Sequence, residues 1–202
     1  MGCCAGKSKA EAAEEDNRRK IVVVGDGGVG KTCLIRRYIN GEFDEFTPQA
    51  YIPSSLETHT REMTVGNKKF VAIICDTGGQ ETFRHLRKTS YPNSDAVIVC
   101  FSLDNEESLK NIHNLWIPEM QKLCPRVPMI LVGNKLDLRE EAYKPDGFIK
   151  ESKGLQAVKK HKMVTYLETS SLNDTNVDKV FETAMAEAAK RKKQNKKSFD
   201  DV

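Results

Sequence analysis

Residues 25–32 read GDGGVGKT. Glycines let a backbone curl until successive N–H groups point inward, and inward-pointing N–H groups bind phosphate oxygens. The run stands directly after an apolar segment and directly before a helical pattern, so a helix N-terminus would add its positive dipole end. Lys31 would reach the β- and γ-phosphates of a nucleotide, and the Thr32 hydroxyl would ligate Mg²⁺. Asp76 ends the next long apolar run. It would act on the ion through a bound water, because Mg²⁺ keeps several of its waters.

A phosphate loop does not choose a base. Residues 133–138, GNKLDL, can. Asn134 and Asp137 leave the end of another apolar run. A carboxylate accepts two hydrogens together from guanine N1 and N2, and adenine cannot supply that pair. Offered adenine, the buried acceptor would be left unpaired at a cost of about 1–3 kcal/mol. Lys135 can lay its stem over the base. Asn134 and Asp137 therefore oppose an ATP-using alternative. Residues 76–80, DTGGQ, place an acid, a hydroxyl, two glycines and an amide after a buried strand, where either a turn or a phosphate-sensing switch would fit.

Four short β-branched runs must position these groups: 21–25, 70–75, 96–101 and 128–133. Each is apolar on both alternating faces, as strands of a parallel sheet covered on both sides are. Helical patterns alternate with them over 31–40, 105–122 and 151–160, and a last helix is expected from about 175 to 193. Strand–helix alternation predicts an α/β fold with right-handed crossovers. Residues 55–64 and 69–75 flank VGNKK, where Gly66 and Asn67 suit a tight hairpin and add an antiparallel edge strand. Residues 1–18 and 191–202 read as tails around one domain over 19–190, without internal repeats.

The composition agrees. Of 202 residues, 39% are hydrophobic and 30% charged, enough for a packed core and against global disorder. The net charge of +3 argues neither for nor against nucleic acid. No apolar run approaches the roughly 20 residues of a membrane-spanning helix, and no signal peptide is expected. Cysteines stand at 3, 4, 33, 75, 100 and 124. The last four lie in or beside apolar segments and are expected to be buried thiols in a reducing compartment. The scattered histidines lack metal-ligand spacing.

Together these residues resemble the Ras superfamily of small GTPases, and within it the Rho/Rac family most. The Rho-like stretches are YIPSSLE (51–57), LRKTSYPNSDAVIVCFSLDNEES (86–108), the spaced NI…W.PEM (111–120) and CPRVPMILVGNKLDLR (124–139). The resemblance covers about residues 19–190. It implies a P-loop NTPase small G domain: a six-stranded, mostly parallel sheet with one antiparallel edge strand and helices on both faces. It implies GTP, GDP and Mg²⁺ as ligands. Gly25, Gly27, Gly28, Val29, Gly30, Lys31, Thr32 and Cys33 would wrap the phosphates. Tyr51 and Ser54 would form the first switch, with Ser54 as a further Mg²⁺ ligand beside Thr32 and Asp76. Gly79 would sense the γ-phosphate and Gln80 would orient the attacking water. Asn134, Lys135 and Asp137 would read guanine with Ser170, Ser171 and Leu172, the Ser171 N–H meeting guanine O6. The insert that Rho proteins carry after Asp137 reads as shortened.

Departures from the family concern timing. Ser54 stands where the family has Thr, and predicts a more mobile first switch. Thr47 stands where a Phe meets the guanine edge. Either Phe46 substitutes by a register shift, or nucleotide is held less firmly and exchanges faster. Gly78 replaces Ala and loosens the backbone beside Gln80, which should slow hydrolysis. Leu172 replaces a Lys near the base. Cys75 replaces a Trp that faces exchange factors.

The tails suggest a membrane. Rho proteins end in a prenylated cysteine, but this sequence ends SFDDV with no cysteine after Cys124, so prenylation and extraction by the usual lipid-binding inhibitor are not expected. Gly2 could carry myristate and Cys3 and Cys4 palmitate, although position 6 is Gly rather than Ser or Thr. One myristoyl chain anchors only marginally, so palmitate or the basic run at Lys190–Lys193, Lys196 and Lys197 would be the second signal. The expected protein is a monomeric, slow GTPase switch at the cytoplasmic face of the plasma membrane, with a cytosolic pool. Its partners would be effectors, exchange factors and activating proteins, and not nucleic acid. The alternative is a GTP-binding scaffold with impaired hydrolysis or fast exchange.

Overall fold

Alternation within the first strand, β1 (Arg18–Gly25), sets the layers. Val22 and Val24 join one apolar cluster, while Ile21 and Val23 join another on the opposite face. Every core strand built this way is buried on both sides, which is why these runs are continuously apolar. The computed structural model describes residues 17–43, 56–79, 84–142 and 147–191.

After β1 come α1 (Lys31–Asn40), β2 (Leu56–Val65), β3 (Lys68–Thr77), α2 (Arg84–Thr89) and β4 (Ala96–Ser102). A long helical run follows: α3 (Glu106–Asn111), a π-helical stretch (Ile112–Trp116) and α4 (Ile117–Leu123). The chain continues through β5 (Met129–Asn134), α5 (Leu136–Glu140), α6 (Glu151–His161), β6 (Thr165–Glu168) and α7 (Val177–Lys190). The strands form one six-stranded sheet in the order β2-β3-β1-β4-β5-β6. Only the β2–β3 pair is antiparallel. Its hairpin turns at Gly66, whose φ of 60° suits a residue without Cβ.

Leu34, Ile35 and Tyr38 of α1 pack with Val180, Phe181 and Ala184 of α7 on one face. On the other, Ile112, Trp116 and Met120 of the long helical run lie with Phe101 and Tyr166. The α/β architecture with one antiparallel edge strand and helices on both faces is therefore the expected one. The sixth strand is one that no apolar run marks, because TYLE is short and only Tyr166 within it is buried. The helix expected over 105–122 is present but unwinds into a π turn at its centre.

Candidate functional site

The sheet reverses its strand order around β1, and ligands of open α/β sheets bind outside the C-terminal strand ends at such a point. Gly25 ends β1 there and the glycine-rich loop follows. Gly30 caps α1 at φ 91°, a left-handed conformation that a side chain would strain. Lys31 is buried, and its ammonium donates to the Gly25 carbonyl at 2.8 Å and the Asp26 carbonyl at 2.7 Å. Burial pushes its pKa below the usual lysine value, against the opposing pull of the Cys100 thiol and the Asp76 and Asp26 carboxylates. Beside it the Thr32 hydroxyl donates to Asp76 Oδ2 at 2.6 Å. A hydroxyl and a carboxylate side by side form the hard oxygen set that suits Mg²⁺.

The second half of the site hangs on Asn134. Its Nδ2 donates to the Val29 carbonyl in the glycine loop at 2.8 Å. Its Oδ1 accepts from the Thr169 hydroxyl at 2.7 Å. Both ends of the amide thus join two loops, and the second Nδ2 hydrogen is left over for the base contact that the sequence reading gives Asn134. Asp137 is 8% exposed and accepts from the Ser170 hydroxyl at 2.6 Å. That bond holds the carboxylate in place through the loop after β6. Lys135 adopts φ 64° and lies 3.4 Å from Asp104. Ser171 is buried and Leu172 half-buried in the same loop.

Gly79 lies against the phosphate loop itself. A Cβ there would fall 2.4 Å from the Gly25 oxygen and 2.5 Å from the Gly27 nitrogen. Gln80, Tyr51, Ser54, Phe46 and Thr47 lie outside the described residues, as do Gly2, Cys3 and Cys4. Cys33 corrects an expectation: its thiol is exposed, because it occupies the outward face of α1 between inward Leu34 and buried Lys31. Cys75, Cys100 and Cys124 are buried as expected. Burial pushes the Cys100 thiol up to about 12. Cys75 is only 4% exposed, so it does not present the open surface that the resemblance gives to exchange factors.

Asp26, Asn111, Trp116 and Arg87 have no assigned role in the sequence reading. Trp116 Nε1 donates to Asp26 Oδ1 at 2.6 Å and Asn111 Nδ2 to Asp26 Oδ2 at 2.7 Å. The Arg87 guanidinium lies 4.5 Å from the Trp116 ring centroid and pairs with Glu119 at 3.2 Å. The available signal was an acid inside a loop that gathers anions. Thr169 stands in ETSSL (168–172), the loop that the resemblance places against the base, but its own bond to Asn134, 35 positions away, leaves no local signal.

Among the described residues no group of three or more His, Cys, Asp or Glu side chains could hold a metal ion. The oxygen set at Thr32 and Asp76 is of another kind, one hydroxyl and one carboxylate, which would suit an ion that keeps its waters. Compared with known protein families, residues 20–190 match the model of the Ras family.

Proposed function

The chain belongs to the Ras family, and from that premise we propose that it is a Rho-like GTP/GDP switch working at a membrane surface. Ras-family domains are small GTPases that bind GTP and GDP and typically Mg²⁺. The observation that supports assigning those tasks to particular residues is the convergence of three loops on one sheet edge: the glycine loop, the segment at Gly79 and the Asn134-braced pair.

In this reading the loop N–H groups and Lys31 hold the phosphates, while Asp137 and the Ser171 N–H select guanine. Thr32, Asp76 and Ser54 would hold Mg²⁺, which supplies positive charge against the phosphate oxygens. Gly79 senses the γ-phosphate because only a residue without Cβ can come so near the loop. Gln80 orients the attacking water. Ordering of both switches recruits effectors, and hydrolysis releases them.

The Rho-like assignment rests on the stretches at 51–57, 86–108, 111–120 and 124–139. The membrane assignment rests on Gly2, Cys3 and Cys4 and on the basic run after Lys190. One contact bears on it. Arg19 Nε donates to the Ala188 carbonyl at 3.1 Å, and its Nη2 to the Arg191 carbonyl at 3.4 Å. The start of β1 and the end of α7 are thereby tied, which supports the reading that the two termini serve one membrane face. No helix among the described residues is long and apolar enough to cross a membrane.

GDP release and single-turnover GTP hydrolysis on the purified protein test the switch. Slow hydrolysis, accelerated by an activating protein, is the expected result; none under either condition would leave the scaffold reading. Ser54, Thr47 and Gly78 favour that second reading of altered cycling. Restoring Ala at position 78 should raise the hydrolysis rate if the loosened backbone beside Gln80 limits it, and an unchanged rate would exclude that cause.

A further inference from the structure

A carboxylate inside a loop that gathers N–H groups around phosphates has the wrong sign, and at a few ångströms like charges repel strongly in a poorly hydrated site. Asp26 avoids this by pointing away. One oxygen accepts from Asn111 at 2.7 Å and the other from Trp116 at 2.6 Å. Bonds this short to a charged acceptor are among the stronger hydrogen bonds in proteins. From the other side the Asp26 carbonyl accepts from Lys31 at 2.7 Å. The main chain at Asp26 is thus held between the lysine that would meet the phosphates and a helix that would not touch them.

The helix is wound to make this possible. Residues five apart on an α-helix point about 140° away from each other. Here the π-helical stretch Ile112–Trp116 intervenes, closed by the Ile117 N–H on the Ile112 carbonyl. A turn with i to i+5 bonding stacks residues five apart, so Asn111 and Trp116 reach one carboxylate. The indole is fully buried, and Arg87 from α2 lies over its ring at 4.5 Å.

We propose that Trp116, together with Asn111, is a positioning residue for nucleotide retention, holding the Asp26 carboxylate out of the phosphate loop and so keeping that loop shaped around the phosphates. The proposal rests on the reading of this site as a guanine-nucleotide site.

The test is release of fluorescently labelled GDP from the full chain. W116F keeps an aromatic ring under Arg87 but loses the N–H donor and part of the indole's buried volume, a packing loss for which M120A is the control; it should release GDP about tenfold faster, the effect of losing one hydrogen bond to a charged acceptor. N111L should act in the same direction and serves if W116F does not fold. M120A removes core volume from the same helical run without touching the loop; it should lower the melting temperature and leave release unchanged. In a D26N background, where no charge needs restraint, W116F should have little further effect. Wild-type release by W116F and N111L, equal acceleration by M120A, or an undiminished W116F effect in D26N would each overturn the proposal. Failure of the unmodified protein to retain GDP would instead overturn the guanine-nucleotide reading.

Discussion

Lys31 carries a structural load to which the proposed phosphate contact would add a chemical one. Burial disfavours its charge, so its pKa is lowered, while the Gly25 and Asp26 carbonyls hold the ammonium in the loop. A bound phosphate chain would favour the charged form and raise that pKa again. The complex therefore keeps the proton to higher pH than the free protein does. GDP affinity should stay level while both states are protonated. It should then fall as pH rises through the lowered pKa of the free protein towards that of the complex. Calorimetric titration from neutral to alkaline pH checks this. A flat affinity across the range would show that Lys31 does not meet the phosphates.

Between elements, close approach and buried charge do most of the fixing. Glu119 of α4 pairs with Arg87 of α2 at 3.2 Å and accepts from the Tyr91 hydroxyl at 2.8 Å, with both charged groups buried. Glu119→Ala takes the carboxylate from a buried guanidinium, and should lower stability in chemical denaturation by about 3–5 kcal/mol. Glu119→Gln keeps an acceptor and should cost less. On the same face of the sheet, at its β6 edge, α6 packs on β6 at Gly154. A Cβ there would sit 2.3 Å from the Tyr166 ring. Gly154→Ala should therefore destabilise by about 1–3 kcal/mol despite alanine's better helix propensity, because a packed ring must move. Thermal melting decides the sign.

At the scale of the molecule, the sheet separates two poles. Strand C-termini gather the candidate nucleotide residues, while Arg19 ties the start of β1 to the end of α7. An acyl chain on the N-terminal tail and a basic run on the other would then act on one surface. Gly2→Ala should move the protein from membranes to the soluble fraction. Neutralising Lys192, Lys193, Lys196 and Lys197 in acylated protein should weaken binding to anionic vesicles by roughly 1 kcal/mol per charge, and more so at low salt. Undiminished vesicle binding by both variants would place the attachment elsewhere.

The long elements and the glycine-rich loop are legible because their signals are local, whereas the short helices α2 (Arg84–Thr89) and α5 (Leu136–Glu140) are too short to show a helical period. β-branched runs mark doubly covered strands, and GDGGVGKT between a strand and a helix carries its own geometry. β6 escaped because a short strand with only one side chain fully buried has no pattern to read. The exposure of Cys33 escaped because apolar neighbours in sequence do not fix which face of a helix a residue takes. Tertiary structure alone decided the supports of the site. Asn134 braces Val29 and Thr169, Ser170 holds Asp137, and Asn111 and Trp116 hold Asp26. Most of these partners lie far apart in the chain and depend on sheet register and on a π turn. Residue types and spacing determined what chemistry this protein can do. Which side chains hold the reacting groups in place depends on distances that exist only once the chain has closed on itself.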